Sequence, residues 1–342
     1  MDAKLQELCR QAHEDRIRVG MLDTDTKNRT LELAADALMA HEQEILEANA
    51  IDMERGRERN MPQGLLDRLK LDHDRLLGMA DGLRQVAKLE DPIGEVMSMR
   101  KRPNGLIIGK VRVAIGVVGI IFEARPNVTS DAFGLCFKSG NCAILKGGSD
   151  AIHSNIAIVS AMQEALRRMN IPKGALSLIE STDRETTNAF MKMKDYVDLL
   201  IPRGGRGLIQ SVVNNATIPV IETGTGNCHV YVDQFADQEM AVNIIKNAKT
   251  QRIGVCNACE SIVVHRAIAK EFLPKLYAAL KEYDVEMRGD SYAVECLGPD
   301  QPLVKDATEE DWGTEYLDYI MSVKIVDLSL IHISEPTRPR LI

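Results

Sequence analysis

Between residues 22 and 89, apolar residues recur every three or four positions, and polar residues fill the positions between them. This spacing predicts amphipathic helices, because it puts the apolar side chains on one face. Asp23 stands where the first of these helices would begin, and its side chain is of the type that caps a helix N-terminus. Pro62 and Pro92 interrupt the pattern. We therefore expect helices that pack onto a following domain rather than a continuous coiled coil.

From Lys110 onward the pattern changes to short runs of β-branched residues separated by helical windows. This alternation predicts a parallel sheet with crossover helices, and hence an α/β fold. The predicted strands are residues 111–122, 142–145, 176–179, 197–201, 219–221 and 229–232. The predicted helices between them are residues 128–138 and 152–169. Such a sheet often binds a nucleotide, although topology alone identifies no ligand.

A second α/β unit is predicted from Asp233. Asp237 is the expected N-cap of a helix that ends at residue 250, and a loop, a strand at 261–265 and a helix at 267–283 follow. We therefore place one domain at residues 1–232 and a second at residues 233–327. The last residues, 328–342, read LSLIHISEPTRPRLI and match the translation of a sequencing adapter, so we expect a non-native tail there.

Composition narrows the functional class. The net charge is −8 and Trp312 is the one tryptophan, which argues against a protein that binds the phosphate backbone or stacks unpaired bases. Residues 1–10 mix charges and lack the apolar core of a secretory signal, and no run of roughly eighteen apolar residues suits a membrane span. Seven cysteines without framework spacing fit a reducing compartment. We expect a cytoplasmic protein that binds neither nucleic acid nor membrane.

Two glycine-rich segments follow predicted strands, although neither a G-x-G-x-x-G turn nor a G-x-x-x-x-G-K-[ST] loop occurs. They consist of Lys146, Gly147, Gly148 and Ser149 after one strand, and of Arg203, Gly204 and Gly205 after another. Glycine lets backbone N–H groups approach an anion, a helix N-terminus adds a favourable dipole, and Lys or Arg adds charge. The segments therefore suit phosphates, with simple turns and solvated cations as the alternative.

Cys256 lies in a loop of small residues between a predicted helix and a strand, where a thiolate would be accessible in a cleft. A buried, unreactive cysteine is the alternative, because reactivity requires a lowered pKa that the sequence does not show. Cys259 completes a C-x-x-C motif, which leaves a redox disulfide open as well. No second C-x-x-C and no nearby histidine pair completes a zinc site, so we expect no metal.

Two polar residues near the ends of predicted strands are further candidates. Glu222 follows an apolar strand, where a carboxylate suits either catalysis or a hydrogen bond that stabilises a turn. Asn127 follows Arg125 and Pro126, and its amide suits either an oxyanion or the cap of the next helix. Spacing alone does not choose between these roles.

A series of short motifs occurs in a distinctive order along the chain. They are KN at 27–28, LLDRL at 65–69, DPIG at 91–94, FEARPNVT at 122–129, KSGN at 138–141, IPRGG at 201–205, residues 219–231 and VCNA at 255–258. Together they resemble the γ-glutamyl phosphate reductase (glutamate-5-semialdehyde dehydrogenase) family, a branch of the aldehyde dehydrogenase superfamily. The resemblance implies an NADPH-binding α/β domain after the N-terminal helices, a catalytic α/β domain and an oligomerisation arm. Residues 253–254, IG, depart from the Pro-Ser expected there.

The resemblance also implies roles for single residues. Cys256 matches the nucleophile, and Asn127 matches the oxyanion-hole asparagine. Lys146 matches the lysine that binds the ribose or phosphate of NADPH, and Glu222 the general base of hydrolytic relatives. The implied reaction is the NADPH-dependent reduction of L-glutamyl 5-phosphate to glutamate 5-semialdehyde through a cysteine thioester, the second step of proline synthesis from glutamate. A homo-oligomer is implied for the full-length protein, and transfer of the substrate from glutamate 5-kinase stays open.

The family continues beyond the position that matches Asp327, and its Gly-Ser-x-His-Ser-Glu signature lies in that part. The resemblance therefore implies a chain that is shortened at its C-terminus and whose activity and assembly are open. Two alternatives remain: another acylating aldehyde dehydrogenase of the superfamily, and an inactive nucleotide-binding scaffold.

Overall fold

The computed structural model of the chain describes residues 3–123, 125–224, 226–298 and 300–327, apart from the side chain of Arg206. Residues 328–342, for which the sequence predicts a non-native tail, lie outside the described residues. The chain divides into two compact units, Met1–Gly224 and Thr225–Ile342, which we call the first unit and the second unit.

The N-terminal part of the first unit is helical, as the apolar periodicity predicts for residues 22–89; the helix before residue 22 was not predicted. Its helices are α1 (Ala3–Gly20), α2 (Thr24–Ala40), α3 (Glu42–Glu58), α4 (Gln63–Leu69) and α5 (His73–Lys88). Asp23 caps α2, because its side chain accepts a hydrogen bond from the Thr26 amide at 2.8 Å. The apolar faces of α2 and α3 are buried in the same core as the sheet that follows. The prediction that these helices pack onto a following domain is therefore confirmed.

An antiparallel hairpin comes next, formed by β1 (Val96–Lys101) and β2 (Ile107–Val111). Its apolar side chains are largely exposed, with Met99 at 65% and Ile107 at 61%. The sequence predicts a continuous strand at 111–122, and this prediction is wrong because β2 ends at Val111. Gly116 adopts a φ of +128°, which breaks the extended run before the next strand begins.

A parallel sheet forms the rest of the first unit. Its elements are β3 (Val117–Phe122), α6 (Asn127–Lys138), β4 (Cys142–Lys146), α7 (Ile152–Arg168), β5 (Leu176–Leu178), α8 (Arg184–Phe190), β6 (Leu199–Arg203) and α9 (Arg206–Asn215). The strand order is β5-β4-β3-β6 with parallel pairing throughout. The order therefore reverses at β3, and open α/β sheets bind ligands at such a reversal, outside the carboxyl ends of the strands. Where the sequence predicts a strand at 219–221, the structure has an isolated bridge between Leu200 and Val220.

The second unit contains another parallel sheet. Its elements are β7 (Cys228–Val232), α10 (Gln238–Thr250), β8 (Cys259–His265), α11 (Arg266–Lys281), β9 (Glu286–Gly289), α12 (Ser291–Leu297), β10 (Val304–Asp306) and β11 (Ile320–Val326). The strand order is β10-β9-β11-β8-β7. Because β7 pairs with β8, residues 228–232 belong to the second unit, whereas the sequence analysis places them at the end of the first domain. An apolar run has the same pattern whichever sheet it joins, so the sequence did not reveal this.

Parallel sheets with crossover helices in both units confirm the α/β class. Asp237 caps α10 as predicted, with its carboxylate 3.0 Å from the Met240 amide. Within the described ranges, no helix has the length and hydropathy needed to cross a bilayer.

Candidate functional site

Lys146 is the last residue of β4, at the carboxyl edge of the first sheet, and it pairs with Ile121 of β3. It is 4% exposed, and its Nζ donates to the Gly147 carbonyl at 3.0 Å. Burial lowers the pKa of the Lys146 ammonium, and the charge of Asp183 opposes this shift. Burial disfavours the charged form of Lys146, and an anionic ligand at this position would stabilise that charged form.

Gly147 follows β4 and packs closely against buried side chains. A Cβ at this position would lie 2.3 Å from Asn155 Nδ2 and 3.3 Å from Phe122 Cζ. Asn155 is fully buried, and its Oδ1 accepts a hydrogen bond from Thr129 Oγ1 at 2.9 Å. Its Nδ2 has no hydrogen-bond partner among the residues that the structure describes. A buried donor without a partner costs free energy, so a polar ligand group at this turn would relieve that cost.

The N-terminus of α7, which follows Gly148 and Ser149, already has an anionic partner from the protein. Asp52 of α3 accepts hydrogen bonds from the Ser154 amide at 2.8 Å and from Ser154 Oγ at 2.7 Å. Ser149 itself is exposed at the start of a short 3₁₀ turn. A phosphate near Gly148 and Ser149 would therefore contact the turn and the hydroxyl rather than the end of the helix.

Gly204 and Gly205 connect β6 to α9. The Gly205 amide donates to Glu123 Oε2 at 2.9 Å, and a Cβ on Gly204 would lie 2.6 Å from Glu123 Cδ. The Glu123 carboxylate thus packs on the backbone at the N-terminus of α9, where an anion is favoured. A phosphate that binds there has to displace it. Arg203 ends β6, which pairs with β3 on the side opposite β4, so Arg203 and Lys146 flank the end of β3.

Asn127 begins α6, the next element after β3, and it is exposed. Its Nδ2 donates to Asp131 Oδ2 at 3.1 Å. The N-cap position belongs to Pro126, and no side chain caps this helix, so the capping role left open by the sequence is wrong. The side-chain amide of Asn127 has two N–H groups, and the hydrogen bond from one of them to Asp131 orients the side chain.

Glu222 is exposed two residues beyond the bridge at Val220. The preceding Ile221 is 56% exposed, so Glu222 does not end a buried strand as the sequence suggests. The structure therefore places this carboxylate in an irregular, open segment of the first unit.

Cys256 lies in the second unit, in the loop between α10 and β8, and its side chain is exposed. The Cys228 thiol at the start of β7 donates to the Cys256 carbonyl, with an S···O distance of 3.3 Å. Gly226 passes beside the same group, and a Cβ there would lie 3.1 Å from the Cys256 carbonyl oxygen. Neighbouring residues thus hold the Cys256 backbone while its thiol stays accessible, which suits a nucleophile.

Cys259, the other half of the C-x-x-C motif, begins β8 and is 1% exposed. Its thiol donates to the Ser261 carbonyl at 3.4 Å, and burial raises its pKa to about 11. Such a thiol is unreactive near neutral pH, which disfavours the redox pair. In the part of the chain that the structure describes, no group of three or more His, Cys, Asp and Glu side chains is arranged to hold a metal ion.

Several side chains around these candidates were not predicted from the sequence. They are Asp52, Glu123, Asp131, Asn155, Cys228, Lys249 and Glu260. Most of them reach the candidates through contacts between distant parts of the chain. A signal existed for Glu260 alone, because it is a single charge beside the apolar run at 262–264.

Comparisons with known proteins cover most of the chain. The model of the aldehyde dehydrogenase family matches residues 2–296. The gamma-glutamyl phosphate reductase of Agathobacter rectalis is 70% identical over 324 residues, which are 94% of this chain and 77% of that protein. The protein of the same name from Lachnospira eligens is 58% identical over 306 residues, 90% of this chain and 73% of that protein.

Among solved structures, the crystal structure of gamma-glutamyl phosphate reductase from Thermotoga maritima matches with a TM-score of 0.84 and 47% identity. The match covers 94% of this chain and 77% of that chain, which confirms the aldehyde-dehydrogenase-like fold. The family match and the identities agree with the structural match. The chain therefore belongs to the aldehyde dehydrogenase family of oxidoreductases, in its γ-glutamyl phosphate reductase branch.

Proposed function

We propose that this chain reduces L-glutamyl 5-phosphate to L-glutamate 5-semialdehyde and inorganic phosphate, with NADPH as the hydride donor and Cys256 as the nucleophile. The observation that carries the proposal is the 70% identity, over 94% of this chain, to a protein named gamma-glutamyl phosphate reductase. The exposure of the two thiols also supports the proposal, since Cys256 is exposed whereas the neighbouring Cys259 is buried. The reaction would be the second step of proline synthesis from glutamate.

The carboxyl edge of the first sheet fits a nicotinamide cofactor that carries phosphates. Lys146 presents a buried ammonium, and Asn155 presents a buried donor without a partner. Gly147 lets the backbone pack closely against Asn155, so that this donor lies beside the end of β4. We assign the ribose and its phosphate to Lys146, Gly147, Gly148 and Ser149, and the pyrophosphate to Arg203, Gly204 and Gly205.

In the first step, the Cys256 thiolate attacks the γ-acyl carbon of the substrate. The C–S bond forms, the C–O bond to phosphate breaks, and inorganic phosphate leaves with the electron pair, so that a thioester remains on Cys256. Bound NADPH supplies the hydride that reduces this thioester. The Asn127 amide and the Cys256 backbone N–H donate to the oxyanion that develops, and its collapse breaks the C–S bond and releases the aldehyde.

Glu222 takes no proton in this scheme. Hydrolytic members of the superfamily need a general base to activate water, and Glu222 matches that residue. Reduction of an acyl phosphate consumes no water, so the reaction leaves no role for a base of this kind. We assign Glu222 to the surroundings of the site rather than to a chemical step.

We further propose that the first unit holds the cofactor and the second unit holds the nucleophile. The protein would act in the cytoplasm as a homo-oligomer, with glutamate 5-kinase as the source of its unstable substrate. The β1–β2 hairpin supports self-association, because its apolar side chains are exposed next to one another.

The reverse reaction tests the proposal. Purified protein is mixed with glutamate 5-semialdehyde and NADP⁺, and the formation of NADPH is followed with and without inorganic phosphate. We expect phosphate-dependent turnover that Cys256→Ser abolishes and Cys259→Ala retains. Dependence on CoA instead of phosphate would identify another acylating aldehyde dehydrogenase, and NADPH binding without turnover would identify a scaffold. Equal loss in both cysteine variants would favour a redox pair.

A further inference from the structure

The loop that carries Cys256 is bounded by two buried, charged side chains. Lys249 lies in the last turn of α10, and Glu260 is the second residue of β8. Lys249 Nζ is 2.9 Å from Glu260 Oε2, and the two side chains are 0% and 1% exposed. The loop at 251–258, with Cys256 in it, begins and ends beside this ion pair.

Glu260 also holds a third segment of the second unit. Its Oε1 accepts a hydrogen bond from the Leu317 amide at 3.2 Å, and the Tyr316 backbone donates to the same carboxylate. Leu317 has a φ of +53°, a left-handed conformation that a leucine rarely adopts. The carboxylate of Glu260 therefore joins α10, β8 and residues 316–317 at one point.

A buried ion pair of this kind constrains the positions of the segments that it joins more than it stabilises the fold. Removing two ions from water costs free energy that their attraction barely offsets, and neutral replacements of similar volume often leave stability unchanged. The contact between Lys249 and Glu260 nevertheless links the end of α10 to the start of β8. These are the two ends of the Cys256 loop.

We propose that Lys249 and Glu260 are positioning residues, whose ion pair closes the base of the loop at 251–258 and thereby fixes the Cys256 backbone. The Cys228 thiol holds the same backbone from β7, through its hydrogen bond to the Cys256 carbonyl. The kinetic part of this inference rests on the proposed function, in which Cys256 is the nucleophile. A displacement of a reacting group by about 1 Å lowers turnover by about a hundredfold.

The double variant Lys249→Met with Glu260→Gln tests the inference. It removes both charges together, so no unpaired ion stays buried, and the glutamine oxygen still accepts from the Leu317 amide. We expect a folded protein with a melting temperature close to that of the parent. The matched control is Lys246→Met, one turn earlier on α10, which breaks the exposed ion pair with Glu282 at 3.3 Å.

Hydrogen–deuterium exchange of the peptide that spans residues 251–258 reports on the loop independently of activity. In the double variant we expect faster exchange in this peptide and a kcat that is lower by about tenfold or more, with an unchanged substrate KM. The control should match the parent in all three quantities.

Unchanged exchange and unchanged kcat in a folded double variant would overturn the inference, as would equal effects in Lys246→Met. If the double variant does not fold, Glu260→Asp keeps both charges, lengthens the contact and is judged by the same measurements. Retained turnover in Cys256→Ser would defeat the proposed function alone, and the exchange data would still decide whether the ion pair fixes the loop.

Discussion

Gly147→Ala tests the close packing at the edge where we place the cofactor. The added Cβ would lie 2.3 Å from Asn155 Nδ2, more than 1 Å inside a normal non-bonded contact of about 3.5 Å. Asn155 does not turn away freely, because it is fully buried and its Oδ1 accepts from Thr129. Phe122 Cζ, at 3.3 Å, limits movement on another side. The backbone of the turn after Lys146 therefore has to shift.

Overpacking of this kind costs about 1–3 kcal/mol. For a unit of this size, each kcal/mol lowers the melting temperature by roughly 2–4 °C, so we expect a fall of roughly 2–12 °C. The same shift moves the groups that we assign to the cofactor ribose and phosphate. We expect the Kd for NADPH to rise by about tenfold, which corresponds to about 1.4 kcal/mol.

Thermal unfolding gives the first quantity, and titration of NADPH fluorescence gives the second. Gly78→Ala in α5 is the matched control, because a Cβ there meets nothing within 4 Å. Alanine is the better helix former, so this control should be more stable by about 0.5–1 kcal/mol and should bind NADPH as the parent does. A Gly147→Ala protein with the melting temperature and NADPH affinity of the parent would refute the reasoning.

Two further predictions concern single side chains of the first unit. Asn127→Ala should lower kcat by about a hundredfold or more, because an oxyanion donor is worth roughly 3 kcal/mol, and a decrease of less than about tenfold in single-turnover kinetics would remove Asn127 from that role. In our assignment Lys146 would bind a phosphate through its protonated form, and burial lowers its pKa, so NADPH affinity should fall with rising pH before an ordinary lysine would titrate. NADPH titrations across pH should show this fall in the parent and not in Lys146→Met, and equal pH profiles would contradict the assignment.

Features that depend on neighbouring residues could be predicted from the sequence. The caps at Asp23 and Asp237 are examples, because a capping side chain bonds to an amide three residues away. The strand predicted at 142–145 is β4, one residue longer in the structure, because a fully buried strand is a continuous apolar run. The roles of Cys256 and Asn127 came from the order of motifs rather than from local chemistry.

Features that depend on distant partners were missed. Asp52 meets Ser154 across 102 positions in the chain, and no periodicity in either helix indicates that contact. The membership of β7 in the second sheet was missed for a related reason, since it depends on hydrogen bonds to β8. Glycines at 147 and 204 suggested phosphate binding, whereas the structure shows that each also accommodates a side chain, Asn155 and Glu123.

The contact of Glu123 with the Gly205 amide makes anion binding at the start of α9 an exchange. An incoming phosphate gains this amide and the helix dipole, but Glu123 loses the same two interactions. Its net affinity at this point is a difference between two similar terms and is therefore small. Free phosphate and other simple anions would compete poorly here, whereas a ligand that also reaches Lys146 would gain a second contact. Selectivity for a large ligand with several contacts would then follow from the carboxylate that the ligand displaces.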